Sequence, residues 1–335
     1  SLMDIPGKKH IVSLDNFSIG HQEDKILLRD ISLEVGSGEM VALIGRNGTG
    51  KSTLLKSMIG LLPALGGSCL LDGKLLARYD LPSRARLVSF VSSQHSQLPS
   101  LTVGELVALG RLPYTGWMGR LDKSDHALVD QALEEVQMAS FAHRKLDRLS
   151  DGERQRAMIA RAFAQDTRLM VLDEPTAFLD IPNTFELIRL LSSFRDGGKS
   201  IVYSTHDLEM AMQFADKMWV IHQGEIYEGA PEDLGLSGLF DDLFQSSGIS
   251  YDQHSGRFML KGPSQGSVRL VGSEDQAMAW TDKALYRLGY KVESQGDLQI
   301  SIEHSEAGYQ WIVEKHGANI VFTSLYNMAR FLIQA

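Results

Sequence analysis

One cysteine, Cys69, is all that 335 residues contain. A disulfide framework is excluded, and a reducing compartment suits the chain. Long apolar runs are missing too: no stretch approaches the ~18 residues of a bilayer span, and no signal-peptide pattern is present. The chain is not expected to cross a membrane by itself. Basic residues are the minority, 33 Lys and Arg against 42 Asp and Glu, for a net charge of −9. That balance argues against a nucleic-acid partner, which needs a basic face. What remains, with 43% hydrophobic and 22% charged residues, is a soluble globular chain of about two domains.

The first strong motif is VALIGRNGTGKSTLLKSMIG. Met40–Ile44 reads as a buried strand, and Ser52–Ile59 has the apolar spacing of a helix. Between them Gly45, Arg46, Asn47, Gly48, Thr49, Gly50, Lys51 and Ser52 match the phosphate loop GxxxxGK[ST] at every defined position. Glycines let the backbone wrap phosphates closely enough for its N–H groups to reach them. Lys51 supplies a mobile charge for the β- and γ-phosphates, the Ser52 hydroxyl can ligate Mg²⁺, and Thr53 continues the helix start. A glycine-rich turn that merely carries a lysine is the bland alternative; the flanking strand and helix weigh against it.

A second motif, RLMVLDEP, is a hydrophobic strand ending in Asp173 and Glu174. Asp173 would hold the Mg²⁺ that Ser52 touches, and Glu174 is placed to polarise an attacking water. A solvated acidic pair at a strand end is the plain alternative. The third motif, KLDRLSDGERQRAMIARAFAQ, poses a puzzle. Leu149–Glu153 reads as a turn opening a helix, whose free N–H groups and positive dipole end favour an anion. Two acidic side chains already stand there. Either they merely cap the helix, or it meets a phosphate in spite of them.

Phosphate loop, LSDGERQR, VLDEPTAFLD and IVYSTHD, in that order, resemble the ATP-binding cassette of ABC transporters over about residues 10–235. The resemblance implies an α/β fold: a RecA-like parallel sheet core, an antiparallel β subdomain, and a helical subdomain at about 95–165. Domains are expected at 8–235 for the cassette, 236–250 for a linker and 251–335 for a small α+β accessory domain. By the same resemblance Gln94 is the loop glutamine that senses Mg²⁺ and water and couples to the membrane partner. Asp180 belongs to the loop that crosses between two cassettes, and His206 is the switch histidine at the γ-phosphate. ATP and Mg²⁺ are the implied cofactors. Two cassettes would face head to tail, so that Ser150 and Gly152 of one meet the γ-phosphate held by the other.

Two departures from the family pattern stand out. LSDGE replaces the usual LSGGQ, putting Asp151 beside the phosphate site. Two unit charges 4 Å apart repel by about 4 kcal/mol at an effective dielectric near 20, so Asp151 must point away, either capping the helix or facing solvent. The second departure is His21, which falls where the family usually stacks an aromatic residue on adenine; Phe17 reads instead as a strand core residue.

Between Gln94 and Ser150 the pattern is helical, with a capping box at Thr102–Glu105 and Leu128, Ala132, Leu133 and Val136 on one face. ALGRLPYTGWMGRLDKSD resembles the branch serving importers of iron–siderophore complexes, haem and cobalamin. That branch implies integral-membrane permease partners, an indirect periplasmic or surface substrate-binding protein, and a peripheral place on the cytoplasmic face of the bacterial inner membrane. An exporter ATPase, or a soluble cassette ATPase without a permease, is the alternative. The latter usually carries two cassettes or a long coiled-coil insertion, and neither is present.

After Pro231 a connecting helix and linker precede strands at Phe258–Leu260 and Val268–Val271. A helix striped by Ala277, Trp280, Ala284 and Leu288 follows, then strands around Leu298–Ile302, Trp311–Val313 and Ile320–Phe322, and a final helix with Leu325, Met328 and Leu332. This region has 8 Lys and Arg against 11 Asp and Glu over 237–335 and no basic patch. His254, His304 and His316 lack metal-ligand spacing. A regulatory or dimer-stabilising appendage is the expectation.

Overall fold

Strands without a single exposed residue set the architecture. Met40–Ile44, Leu169–Leu172 and Ser200–Thr205 are buried along their whole length, as suits the middle of a sheet covered on both faces. The computed structural model describes residues 9–20, 25–93, 100–116, 119–244, 249–252, 257–260, 265–306, 308–315 and 317–334. Contacts divide the chain into two compact units, Ser1–Leu243 and Phe244–Ala335.

In the first unit a six-stranded sheet runs Glu225–Gly229, Lys217–His222, Met40–Ile44, Ser200–Thr205, Leu169–Leu172, Val88–Val91. All neighbours are parallel except the hairpin joining the first two. Parallel neighbours need crossover connections, supplied by helices such as Lys51–Met58, Asp151–Ala164 and Ile181–Asp196. The register pairs Ile44 with Thr205 and Leu172 with Tyr203. Three strand ends therefore come level at the edge where such sheets gather ligands.

A four-stranded antiparallel sheet, in the order Ile26–Gly36, His10–Gly20, Gly66–Leu71, Lys74–Leu75, packs beside it. Phe17 is buried as expected, and one core joins Phe17, Ile19 and Leu33 to Leu43, Leu54 and Trp219 of the main sheet and its first helix. The helices Val103–Ala108, Lys123–Glu135 and Asp151–Ala164 form the helical part. The Thr102–Glu105 capping box is present, with both reciprocal hydrogen bonds made.

The face of Lys123–Glu135 differs from the stripe read in the sequence. Leu128 is half-buried, and the inward positions are Asp125, Val129, Ala132 and Leu133, followed by Val136. A charged residue can join this face because Arg111 Nε donates to Asp125 Oδ1 at 2.9 Å and Arg111 Nη1 to the Ala164 carbonyl at 2.8 Å. Hydropathy alone counts Asp125 as surface; its buried partner reverses that.

Two short helices, Pro231–Leu236 and Leu239–Phe244, stand where a connecting helix and linker are expected, and the second buries Leu239 and Phe240. The second unit contains a hairpin, Ile249–Asp252 with Arg257–Leu260, and a five-stranded sheet. The sheet order is Tyr290–Val292, Gly266–Val271, Leu298–Ser305, Gly308–Lys315, Ala318–Phe322. Helices Asp275–Arg287 and Leu325–Gln334 share its core through Ala277, Leu285, Met328 and Leu332. Helical spacing puts Trp280 on the buried stripe, yet it is 56% exposed. The inward position is Thr281, whose hydroxyl accepts from Trp311 Nε1 and donates to the Ala277 carbonyl.

Candidate nucleotide site

The loop after Met40–Ile44 turns into the helix Lys51–Met58 through Gly50, a left-handed N-cap at φ 103°. A Cβ there would stand 3.2 Å from the Leu27 side chain, and one at Gly45 only 2.7 Å from Thr49 Oγ1. The loop is closed by Thr49, whose N–H and hydroxyl both donate to the Arg46 carbonyl. Arg46, Asn47 and Gly48 are exposed at its tip, while Ser52 is half-buried and Thr53 buried. Leu27, Asn47, Gly48, Gly50, Lys51, Ser52, Thr53 and Glu174 line a cleft of about 240 Å³.

Lys51 is only 5% exposed. Its Nζ donates to the Gly45 carbonyl at 2.8 Å and stands 3.3 Å from Glu174 Oε1. The other Glu174 oxygen lies 3.5 Å from Nδ1 of His206, a largely exposed ring. Lys51, Glu174 and His206 come from three separate segments, and the strand register brings them to one carboxylate. Glu174 itself has a left-handed backbone, φ 45°, a conformation that is strained for a residue with a side chain and is often found at functional sites.

Asp173 is 2% exposed. Its Oδ1 accepts from Ser204 Oγ at 2.8 Å and its Oδ2 from Ser93 Oγ at 3.2 Å. Among the described residues no cationic side chain forms an ion pair with it. The Asp173 carboxylate and the Ser52 hydroxyl are hard oxygen donors of the kind that suits Mg²⁺.

At the start of Asp151–Ala164, Ser150 is the N-cap and forms a capping box with Glu153. Ser150 N donates to Glu153 Oε2 at 2.8 Å, and Glu153 N donates to Ser150 Oγ at 3.2 Å. Arg144 Nη1 lies 3.6 Å from Glu153 Oε1. Glu153 thus spends its charge on a cap and a cation. Asp151 takes no part in the cap and is exposed; of the two expectations for it, capping gives way to facing solvent. Asp180 caps the next helix, accepting from Asn183 N at 2.9 Å and Asn183 Nδ2 at 2.8 Å. The Asn183 amide also accepts from Arg156 at 3.3 Å, and a Cβ on buried Gly152 would come within 3.0 Å of its Oδ1.

His21 and Gln94 lie outside the described residues. Four participants escaped the sequence reading: Leu27, Ser93, Asn183 and Ser204. Only Ser204 left a signal there, as a hydroxyl in the strand of IVYSTHD.

Comparison with known proteins gives a consistent picture. Residues 28–177 match the ABC transporter family and residues 265–333 the iron ABC transporter C-terminal domain. The petrobactin import ATP-binding protein FpuC of Bacillus anthracis is 36% identical over 73% of this chain and 90% of its own length. The iron(3+)-hydroxamate import ATP-binding protein FhuC of Bacillus subtilis is 34% identical over 70% of this chain and 87% of its own. Among solved structures, a dimeric post-hydrolysis state of the ATP-binding cassette MJ0796 with ADP and Pi superposes with a TM-score of 0.58. It is 28% identical and covers 66% of this chain and 98% of its own.

Proposed function

This chain belongs to the ABC transporter ATP-binding family, and on that premise we propose that it powers import of an iron chelate by hydrolysing ATP between two copies of itself. Members of the family bind nucleotide and are ATPases coupled to transport; those of import systems work as dimers with membrane permeases. No helix among the described residues is long and apolar enough to cross a membrane, so a separate permease would supply the path. Iron-chelate cargo is favoured over haem or cobalamin by the match at 265–333 and by the petrobactin and hydroxamate relatives. An exporter role has no comparable support.

One observation carries the chemistry: Lys51 and His206 converge on the Glu174 carboxylate at the end of a buried strand, beside the phosphate loop. Backbone N–H groups of residues 45–53 and the Lys51 ammonium hold the triphosphate. Ser52 and Asp173, with Gln94, would hold Mg²⁺, which would supply charge to neutralise phosphate oxygens. Glu174 draws a proton from the attacking water as its oxygen bonds the γ-phosphorus and the bond to the bridging oxygen of ADP breaks. His206 keeps Glu174 and the γ-phosphate in register. Ser150 and Gly152 of the second copy close the site, with exposed Asp151 turned to solvent, and His21 stacks on adenine.

The test is uptake of a ferric siderophore into vesicles holding the chain with its permease. Uptake should require Mg²⁺ and ATP and stop with Lys51→Ala. Uptake of haem or cobalamin in place of the ferric siderophore would refute the cargo assignment.

A further inference from the structure

Ser204 is, with Ser200 and Thr205, one of the polar residues in a strand buried along its whole length. It is 0% exposed, and Ile201, Val202 and Tyr203 before it are buried and largely apolar. A buried hydroxyl requires partners, and this one has two. It accepts the Glu174 N–H at 2.8 Å and donates to Asp173 Oδ1 at 2.8 Å. One O–H and its lone pairs suffice for both bonds at once. The first holds the backbone of Glu174, a residue kept at φ 45°. The second fixes the direction of the Asp173 carboxylate. Ser93, at the end of the neighbouring edge strand and next in sequence to Gln94, holds the remaining oxygen at 3.2 Å.

We infer that Ser204 is a positioning residue that locks the metal-binding aspartate and the general base into one unit, with Ser93 bracing the aspartate from the opposite side. The inference rests on the roles proposed above for Asp173 and Glu174. Without the Ser204 hydroxyl the Glu174 amide loses its buried acceptor, and the carboxylate it leads to is no longer aimed. A base misplaced by a fraction of an ångström loses rate while substrate binding survives, because nucleotide is held mainly by the phosphate loop. The aspartate, held by one hydroxyl in place of two, should also present its oxygens less well to a cation.

The test compares Ser204→Ala, Ser204→Thr and Ser93→Ala in the full chain. Each is assayed for steady-state ATPase and for binding of a fluorescent ATP analogue, with and without a Mg²⁺ titration. Ser204→Ala should lower kcat about tenfold, leave KM within about twofold, and leave Mg²⁺-free nucleotide affinity unchanged. The Mg²⁺ concentration for half-maximal tightening of nucleotide binding should rise severalfold. Ser204→Thr, which keeps the hydroxyl, should restore most of kcat. Ser93→Ala should raise the Mg²⁺ requirement with a smaller loss of kcat, and it carries the test if Ser204→Ala does not fold. Wild-type kcat and Mg²⁺ requirement in folded Ser204→Ala would overturn the inference. So would a loss of Mg²⁺-free affinity as large as the loss of kcat, which marks general damage. Lys51→Ala run in parallel separates the two levels: if it also turns over normally, the site assignment itself has failed.

Discussion

Removing the Lys51 ammonium has two separable costs. The Lys51 Nζ donates to the Gly45 carbonyl at 2.8 Å and lies 3.3 Å from Glu174 Oε1. Lys51 is 5% exposed and the Glu174 side chain 23%, so solvent screens the pair only in part. Lys51→Ala strands a carboxylate and a carbonyl together. Charge-assisted hydrogen bonds contribute about 1.5–3 kcal/mol each, and partial exposure of Glu174 argues for the lower part, so a loss of about 2 kcal/mol is expected. The second cost falls on binding. The phosphates lose the Lys51 ammonium, and about 100-fold in ATP affinity should go with it, equivalent to about 2.7 kcal/mol. The double variant with Glu174→Gln separates the costs: it removes the stranded charge, so it should be more stable than Lys51→Ala alone while still binding ATP weakly. Thermal melts and calorimetric ATP titration measure the two quantities. Unchanged ATP affinity in folded Lys51→Ala would refute the phosphate-loop reading.

Other outcomes follow from the same geometry. Ser150→Arg puts a long cation at the capping position of the helix Asp151–Ala164; it should stop hydrolysis by blocking closure of the second copy, while each chain still binds ATP in titration. A chain ending at Leu243 should keep its ATP affinity within about twofold, because every residue assigned to the nucleotide lies in the first compact unit; loss of binding in a folded truncation would contradict this. Burial pushes the Cys69 thiol up to about 12, well above the usual thiol range. The folded form then keeps its proton where the unfolded form loses it, so stability is complete below about pH 9 and falls as pH rises toward 12. Each pH unit in that window costs about 1.4 kcal/mol, and Cys69→Ala should flatten that slope in chemical denaturation.

Much of this was legible in the sequence, for a physical reason. The phosphate loop and the strand ending in Asp173 and Glu174 are local motifs, spelled by conformational and chemical demands on consecutive residues. So are the strands of the core and the capping box at Thr102, where period and cap chemistry agree. What escaped depends on register between distant segments. Ser204 and Ser93 become partners of Asp173 only once three strands lie side by side. Asp125 reads as surface until Arg111 reaches it across a turn. Glu153 looked like one of two unwanted charges beside a phosphate, yet it reaches back to the Ser150 N–H and pairs with Arg144. Trp280 shows the opposite failure: an aromatic residue at helical spacing was assigned to the core, and the smaller Thr281 took the inward position because its hydroxyl meets the Trp311 indole.

Glu174→Gln tests the central claim most directly, since it keeps the shape of the side chain and removes only its basicity. ATP hydrolysis and the oligomeric state in ATP should be measured on the same preparation. The account predicts retained ATP binding, hydrolysis slower by at least ~10²-fold, and a dimer that persists on a sizing column in ATP because the reaction that opens it has stopped. Turnover at the wild-type rate would show that Glu174 is not the base and that the convergence of Lys51 and His206 upon it serves some other end.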